Sequence, residues 1–374
     1  MDMSSEKKEE LIRAAFEFQN GPAPHIIYDV NYWLFGESKD NIPLDYCRED
    51  PSCMVDYQVG KMKRHAADYD DVYIPFLMPW YGTGVLGSGF GVPIVFQDYM
   101  DPAVDLSQIS DVGQIKDLQM PRPDKDGLMP RVMNAIRYMR ETTDLPVAVT
   151  DCQGPLTTAL QVIGYENMIY WMHDHPDMIH ELMQIVTDAL IEWVKVQKEA
   201  AGQRLDNDAY VLGVKIPADF GGVWISDDDA VIFGTDLYRE FVVPYNSQVL
   251  KAFGGGAIHY CGNANQHIDS YLQTEGLSVI HNLNLDDIDG AARMRKALAE
   301  KGITYIVADF NVAPGYVDEY YRNLFGQMET EGLIVVSYIA PAIMLDHGKY
   351  VEANLDPRKI GHEIEAAIGK YNHA

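Results

Sequence analysis

The sequence predicts an α/β protein, a (β/α)8 TIM barrel with an N-terminal extension. About eight short apolar runs alternate with longer segments of helical period, which is the order of a barrel built from β-then-α units. The runs are almost continuously apolar, as expected for strands of a parallel sheet that is covered on both faces. No Gly-x-Gly-x-x-Gly turn follows the first run, so the sequence favours a closed barrel over an open nucleotide-binding sheet.

The predicted elements follow one another regularly along the chain. Strands are expected at 25–30, 71–77, 145–150, 210–216, 256–261, 277–283, 303–310 and 333–338. One helix begins on Thr235, another ends at Gly302, and the last carries Pro357 in its first turn. We expect residues 1–70 to form the extension that packs on the barrel and residues 71–374 to form the barrel, as one structural domain overall.

Composition and charge exclude several classes of partner. The 374 residues include 56 acidic and 29 basic side chains, and the net charge of −27 repels nucleic-acid phosphates and anionic lipids. The chain has no secretory apolar segment at its start and no run of about 18 apolar residues, so we expect no membrane span. Four cysteines are too few for a disulfide framework. These features favour a cytoplasmic protein with reduced thiols.

The segment "GAIHYCG" places a histidine and a cysteine two residues apart at the end of a strand. Side chains alternate along a strand, so His259 and Cys261 face the same way, about 7 Å apart. Imidazole and thiolate at that spacing can share one metal ion, and the pair suits Zn²⁺. Gly262 then allows the backbone to turn away. The alternative is a hydrogen-bonded core histidine beside a small buried thiol.

Other residues with functional side chains also fall at the ends of predicted strands. They are Asp29, Asp151, Cys152, Asp219, the triplet Asp227 to Asp229, His281, Asn282, Asp309, Asn311 and Ser337. Chemistry in such barrels lies at the carboxyl ends of the strands, so we expect a polar pocket there. The acidic triplet has an alternative interpretation as a solvated helix start.

Three longer passages resemble the uroporphyrinogen decarboxylase superfamily, specifically its methyltransferase-like branch. They begin with "DCQGPLTTALQVIGYENMIYW", "FGTDLYREFVVPYNSQVLKAFGGGAIHYCGNANQHIDSYL" and "NVAPGYVDEYYRNLFGQMETEGLIVVSYIAPAI". The branch includes methylcobamide:coenzyme M methyltransferases, with cobalamin-independent methionine synthase as a more distant relative. The resemblance covers roughly residues 70 to 370 and implies the same barrel fold.

The sequence departs from this family at two places. The segment "APHIIYDVNYWLFGESKD" contains no arginine, whereas true uroporphyrinogen decarboxylases carry an arginine-rich motif there, so porphyrinogen decarboxylation is disfavoured. The related methyltransferases bind zinc through a His-x-Cys…Cys set. Here His259 and Cys261 match, but the position of the last cysteine is taken by Ser337.

The resemblance implies a corrinoid-dependent methyltransferase. It would move a methyl group between a small methyl compound (a methoxylated arene or a methylated amine) or folate and a methylcobamide (cobalamin) carried by a corrinoid-binding protein. The partner would dock at the mouth formed by residues 80–100. Zinc would bind His259 and Cys261, with His281, Asp309 or Asp346 completing its ligands. Asp227, Asp228, Asp309 and Asn311 are the expected catalytic residues.

Aromatic and amide side chains near the strand ends are the expected substrate-binding residues. They are Tyr28, Trp80, Tyr81, Trp224, Asn282 and Tyr338. Such rings stack on an arene or enclose a methylated ammonium group by cation–π contact.

Three alternatives to this interpretation remain open. In the first, no metal binds, and His259 with the acidic residues acts in general acid–base catalysis. A second is a non-porphyrin decarboxylase or lyase, for which Lys215 is the candidate to hold a carboxylate. A third is a non-catalytic protein that binds a corrinoid or a small amine.

Overall fold

The computed structural model describes residues 3–29, 50–96, 102–105, 109–285, 287–310, 315–339, 343–346, 349–352 and 356–373. Asn311 and Cys47 lie outside these residues. The strands are β1 (His25–Asp29), β2 (Ile94–Val95), β3 (Ala103–Val104), β4 (Tyr210–Val211), β5 (Val214–Lys215), β6 (Val223–Ser226), β7 (Gly256–Cys261), β8 (Leu277–Leu283), β9 (Thr304–Phe310), β10 (Leu333–Ile339), β11 (Ile343–Asp346) and β12 (Lys349–Glu352).

The helices lie between and around these strands. They are α1 (Ser5–Phe16), α2 (Pro51–Asp68), α3 (Val85–Gly89), α4 (Met129–Thr142), α5 (Pro155–Ile163), α6 (Tyr165–Asp174), α7 (Pro176–Ala201), α8 (Thr235–Phe241), α9 (Val243–Ala252), α10 (Ile268–Gln273), α11 (Ile288–Ala299), α12 (Val317–Gln327) and α13 (Pro357–Tyr371). Short 3-10 helices occupy Val112–Asp117, Asp228–Ile232 and Asn265–His267. The predicted starts at Thr235 and Pro357 are confirmed, whereas α11 ends before Gly302.

Six strands form one continuous parallel sheet in the spatial order β1-β10-β9-β8-β7-β6. Two extended segments, 71–78 and 146–153, lie between β6 and β1. Their backbones are linked to the sheet by hydrogen bonds from Val72 to His25 (3.2 Å), Ala148 to Leu77 (2.7 Å) and Ser226 to Cys152 (2.9 Å). These eight positions confirm the (β/α)8 fold, although isolated bridges replace a continuous ladder between β6 and β1. Strand β1, which the sequence places in the extension, therefore belongs to this sheet.

The strand predicted at 210–216 is wrong. Residues 210–215 form a small antiparallel hairpin in which Tyr210 pairs with Lys215 and Val211 with Val214. Both residues of its turn have positive φ, 36° at Leu212 and 102° at Gly213, as tight two-residue hairpins require. The barrel position is taken by β6, only four residues long, which follows the hairpin.

Alternate side chains of each barrel strand enter two different apolar layers. Ile26, Ala257, Val279, Ile306 and Ile334 belong to the layer inside the barrel, on which α1 packs through Ile12 and Phe16. Their neighbours Ile27, Ile258, Ile280, Val307 and Val335 belong to the layer between strands and helices. This alternation explains why the strands are apolar throughout. It also decides which residues at the strand ends face the barrel axis.

Candidate functional site

A cavity of about 260 Å³ lies at the carboxyl ends of the barrel strands, where barrels of this kind carry their chemistry. Aromatic rings form much of its wall: Tyr28, Tyr73, Phe76, Trp80, Phe310 and Tyr338. Polar side chains collect at the ends of 146–153, β6 and β7: Asp151, Gln153, Ser226, Asp228, His259 and Cys261. The cavity therefore combines an apolar wall with a concentrated polar group.

Three of these polar side chains come together as a candidate metal group. One ligand atom each from Asp228, His259 and Cys261 lies within 4.8 Å of the others. His259 Nε2 is 3.5 Å from Asp228 Oδ1 and 3.6 Å from Cys261 Sγ. The predicted shared orientation of His259 and Cys261 is confirmed, and Asp228 is the acidic residue that joins them.

The local backbone explains how these three residues meet. His259 and Cys261 share the parity of Ala257 on β7, so both point to the inside of the barrel. Gly262, with φ of 79°, follows directly and allows the chain to leave the strand. The amide of Asp227 donates to the carbonyl of His259 at 2.7 Å. This bond fixes the start of the 3-10 helix that carries Asp228 beside β7.

The electrostatics of the group favour a bound cation. Burial, and then the Asp228 carboxylate, raise the pKa of the Cys261 thiol well above its usual range. Asp228 Oδ1 is buried, with the Cys261 thiol and, at 3.5 Å, His259 Nε2 as polar neighbours. A divalent cation would bind that oxygen and favour the thiolate. One carboxylate, one imidazole and one thiolate are all ordinary zinc ligands, so the residues fit this metal.

His281 and Asp227 lie behind the group, away from the cavity. His281 Nδ1 is 2.8 Å from His259 Nδ1, so it supports His259 on the side opposite Cys261. Asp227 is completely buried, and its Oδ2 accepts hydrogen bonds from the Tyr238 hydroxyl and from the Asn246 amide. Burial raises the pKa of Asp227 to about 7.

The other predicted residues divide according to strand parity. Tyr28, Trp80 and Tyr338 line the cavity. Trp224 is fully buried beneath it, with its ring against that of His259, and Tyr81 belongs to the outer apolar layer.

Three polar residues occupy strand positions whose side chains face away from the barrel axis, and they form hydrogen bonds with a helix or a neighbouring strand. Asp309 accepts from the Tyr320 hydroxyl on α12 at 2.9 Å, and Asn282 donates to Tyr305 at 3.1 Å. Ser337 is bonded to Tyr321, also on α12. The position of the family's last cysteine therefore points away from Cys261.

Sequence reasoning placed Asp151 among the strand-end residues but missed its partners Gln153 and Ser226, and it missed three cavity residues on α2. Asp151 receives hydrogen bonds from Gln153 at 2.6 Å and from Ser226 at 3.0 Å, which forms a polar edge beside Asp228. From α2, the cavity is lined by Gln58, Lys61 and His65. These three lie on one face at spacings of three and four residues, and this polar stripe among apolar neighbours was the available signal. Lys215 does not line the cavity but pairs with Glu9 of α1 at 2.5 Å.

The chain matches a known protein family over most of its length. Residues 35–304 match the family model described as uroporphyrinogen decarboxylase (URO-D), and the chain belongs to that family. The structure is also similar over 97% of its length to a methyltransferase from Methanosarcina mazei, with a TM-score of 0.68, 15% sequence identity and 98% of that chain covered. At that identity the likeness shows the fold.

Curated relatives carry two kinds of name. A methylated-thiol–coenzyme M methyltransferase of M. mazei is 27% identical over 161 residues, 41% of this chain and 39% of the relative. A methylcobamide:CoM methyltransferase of Methanosarcina barkeri is 24% identical over 202 residues, 51% of this chain and 52% of the relative. A uroporphyrinogen decarboxylase of Carboxydothermus hydrogenoformans is 22% identical over 236 residues, 60% of this chain and 59% of the relative. The matched regions thus span about half of these relatives.

None of the helices in the described part of the chain has the length and apolar character needed to cross a bilayer.

Proposed function

We propose that this protein is a methyltransferase that moves a methyl group between a small methyl compound and a corrinoid carried by a partner protein. Zinc would bind Asp228, His259 and Cys261. The observation that carries the proposal is the meeting of these three ligand types at one edge of an aromatic cavity. Two relatives named as methyltransferases support the reaction class. We also propose a cytoplasmic location, from the cysteine content alone.

The ligand set bears on the chemistry. Bound zinc would supply a Lewis acid that polarises the heteroatom bearing the methyl group, and a ligand set with only one thiolate would favour an oxygen or nitrogen donor over a thiol. Asp228, His259 and Cys261 would hold the zinc at one edge of the cavity, so the heteroatom would lie at that edge. The aromatic wall excludes water and positions the rest of the methyl compound.

The cavity suits a small aromatic or methylated ammonium compound. Trp80, Tyr28 and Phe310 offer ring faces and edges on which a methoxylated arene stacks, or which enclose a methylated amine. Among the described lining residues, Lys61 is the sole lysine or arginine. A porphyrinogen with many carboxylates requires several cations, so methyl transfer is favoured over the decarboxylation that the family is named for.

Two reactants have room to approach the candidate ligands. A second cavity of about 280 Å³ shares Thr83, Gln153 and Asp228 with the first. Its other walls include Gln161 and Tyr165, on α5 and α6. We propose that the methyl compound occupies the aromatic cavity and that the partner's corrinoid approaches from the second. Folate as the small methyl carrier is a further outcome that substrate screening would distinguish.

Methyl transfer with purified protein tests this function. Reduced cobalamin is incubated with methoxylated arenes, methylated amines or methyltetrahydrofolate, and methylcobalamin formation is followed by absorbance. We expect transfer from at least one class, reduced at least about 100-fold by Cys261→Ser and by Asp228→Asn because each removes a ligand. Asp236→Asn is the matched control, since this carboxylate lies on α8 and lines neither cavity. Activity equal to wild type in both ligand variants would contradict the proposal.

A further inference from the structure

A series of hydrogen bonds runs from the turn between β4 and β5 to the imidazole of His259. We propose that Tyr338 and His281 are positioning residues that hold His259 in the tautomer protonated on Nδ1, so that its Nε2 lone pair faces Cys261 and Asp228. The proposal rests on the proposed function in one respect. A metal at this group needs an unprotonated nitrogen, and the series provides it before any metal binds.

The direction of the series is set at Leu212. The Tyr338 hydroxyl lies 2.8 Å from the carbonyl oxygen of Leu212, and a carbonyl only accepts. Since the hydroxyl has a single proton, that proton points to Leu212. The carbonyl is held in place by the tight turn, in which Leu212 and Gly213 both have positive φ. Towards its remaining neighbours, Tyr338 Oη is therefore an acceptor.

The next member is His281, whose Nε2 lies 3.5 Å from Tyr338 Oη. Because that oxygen accepts, Nε2 of His281 carries a proton. His281 is completely buried and pairs with no carboxylate among the described residues, so its ring is neutral. A neutral imidazole has one ring proton. Nδ1 of His281 is consequently an acceptor.

The contact between the two histidines completes the argument. Their Nδ1 atoms are 2.8 Å apart, a distance that requires one proton between them. His281 Nδ1 has none to give, so His259 Nδ1 donates. In the neutral ring this is the one ring proton, so Nε2 of His259 is unprotonated. That atom is 3.6 Å from Cys261 Sγ and 3.5 Å from Asp228 Oδ1.

Asp228 alone would favour the opposite tautomer of His259. A carboxylate accepts an N–H strongly, so a proton on Nε2 would gain a charge-assisted hydrogen bond to Asp228. Such a bond would occupy the nitrogen that a metal needs. The hydroxyl of Tyr338 and the imidazole of His281 therefore oppose a local preference, and the two tautomers give opposite experimental signals.

Long-range ¹H–¹⁵N NMR on the metal-free protein, labelled at histidine, reads the tautomers directly. Signals are assigned with His259→Gln and His281→Gln. We expect protonated Nδ1 in His259 and protonated Nε2 in His281. Tyr338→Phe should raise the fraction of His259 protonated on Nε2. The matched control is Tyr305→Phe, which removes another buried hydroxyl, one bonded to Asn282 but, among the described residues, to neither imidazole.

Zinc affinity, measured by competition with a chromophoric chelator, gives a second readout. Tyr338→Phe should weaken zinc binding by about 10- to 100-fold, the usual effect of losing support behind a ligand, and Tyr305→Phe should not. A wild-type His259 protonated on Nε2, or tautomers unchanged in Tyr338→Phe, would overturn the inference even if zinc binds. The expected tautomers without zinc binding would uphold it and contradict the proposed function instead.

Discussion

Replacing Lys198 with methionine should change how the free energy of unfolding depends on pH. Lys198 is 1% exposed and lies near the end of α7. Its Nζ donates to the carbonyls of Asn207 at 2.6 Å and Gly222 at 2.8 Å. Gly222 directly precedes β6, so this lysine joins α7 to the amino-terminal end of the barrel, opposite the candidate site. We expect it to act on stability alone.

The size of the pH-dependent change in unfolding free energy follows from the pKa of Lys198. Burial lowers this pKa to about 8, against the opposing effect of the Asp208 carboxylate. In the unfolded chain a lysine has a pKa of about 10.4. Between these values the unfolded chain binds the proton and the folded chain does not, so the free energy of unfolding rises with pH. A difference of about 2.4 pKa units corresponds to roughly 3 kcal/mol.

Urea denaturation followed by tryptophan fluorescence at several pH values from 7 to 10.5 measures this effect. The informative quantity is the free energy of unfolding of the wild type minus that of Lys198→Met, because other titrating groups cancel. The difference should increase by about 3 kcal/mol as the pH rises through this range. If the difference in unfolding free energy did not change with pH, the inference that the ammonium of Lys198 is buried at the amino-terminal end of the barrel would be refuted.

Two further predictions concern the barrel and its mouth. Asp71→Asn should lower the free energy of unfolding by about 2 kcal/mol at pH 7. Although burial raises the pKa of Asp71, its hydrogen bond and ion pair with His65 lower it overall. In urea titrations the loss should therefore shrink below about pH 4; an equal loss at pH 3 would contradict this. Gly213→Ala should cost about 1–3 kcal/mol in thermal denaturation, because φ is 102° and the added Cβ would lie 2.9 Å from the Tyr28 ring. Gly326→Ala, with no heavy atom within 4 Å, is the control, and equal midpoints for both variants would contradict the turn geometry.

Strand parity explains how much of the site the sequence predicts. His259, Cys261 and Tyr338 were identified because strand ends are recognisable and the side-chain period is two. Asp309 and Asn282 also fall at strand ends, but each has the parity that faces the helices. Where a strand is apolar on both sides, the sequence alone does not show which alternate side chains face the barrel axis and which face the helices.

Asp228 shows where local reasoning ends. It was identified as a catalytic carboxylate, but its place beside His259 and Cys261 depends on β6, which is too short to give a strand pattern. The longer run at 210–216 was a stronger strand signal. Tertiary packing overrides this strand signal by placing Leu212 in a turn with positive φ. Leucine rarely adopts positive φ, so the residue type gives no sign of the turn.

The metal content of protein purified without chelators tests the central claim most directly. Inductively coupled plasma mass spectrometry of the wild type should give about one zinc per chain, and Cys261→Ser, His259→Ala and Asp228→Asn should each reduce it strongly. Asp229→Asn should retain the wild-type amount, since Asp229 lies outside the group. Zinc that persists in all three ligand variants, or a wild type that fails to take up zinc when it is supplied, would contradict a metal site at Asp228, His259 and Cys261.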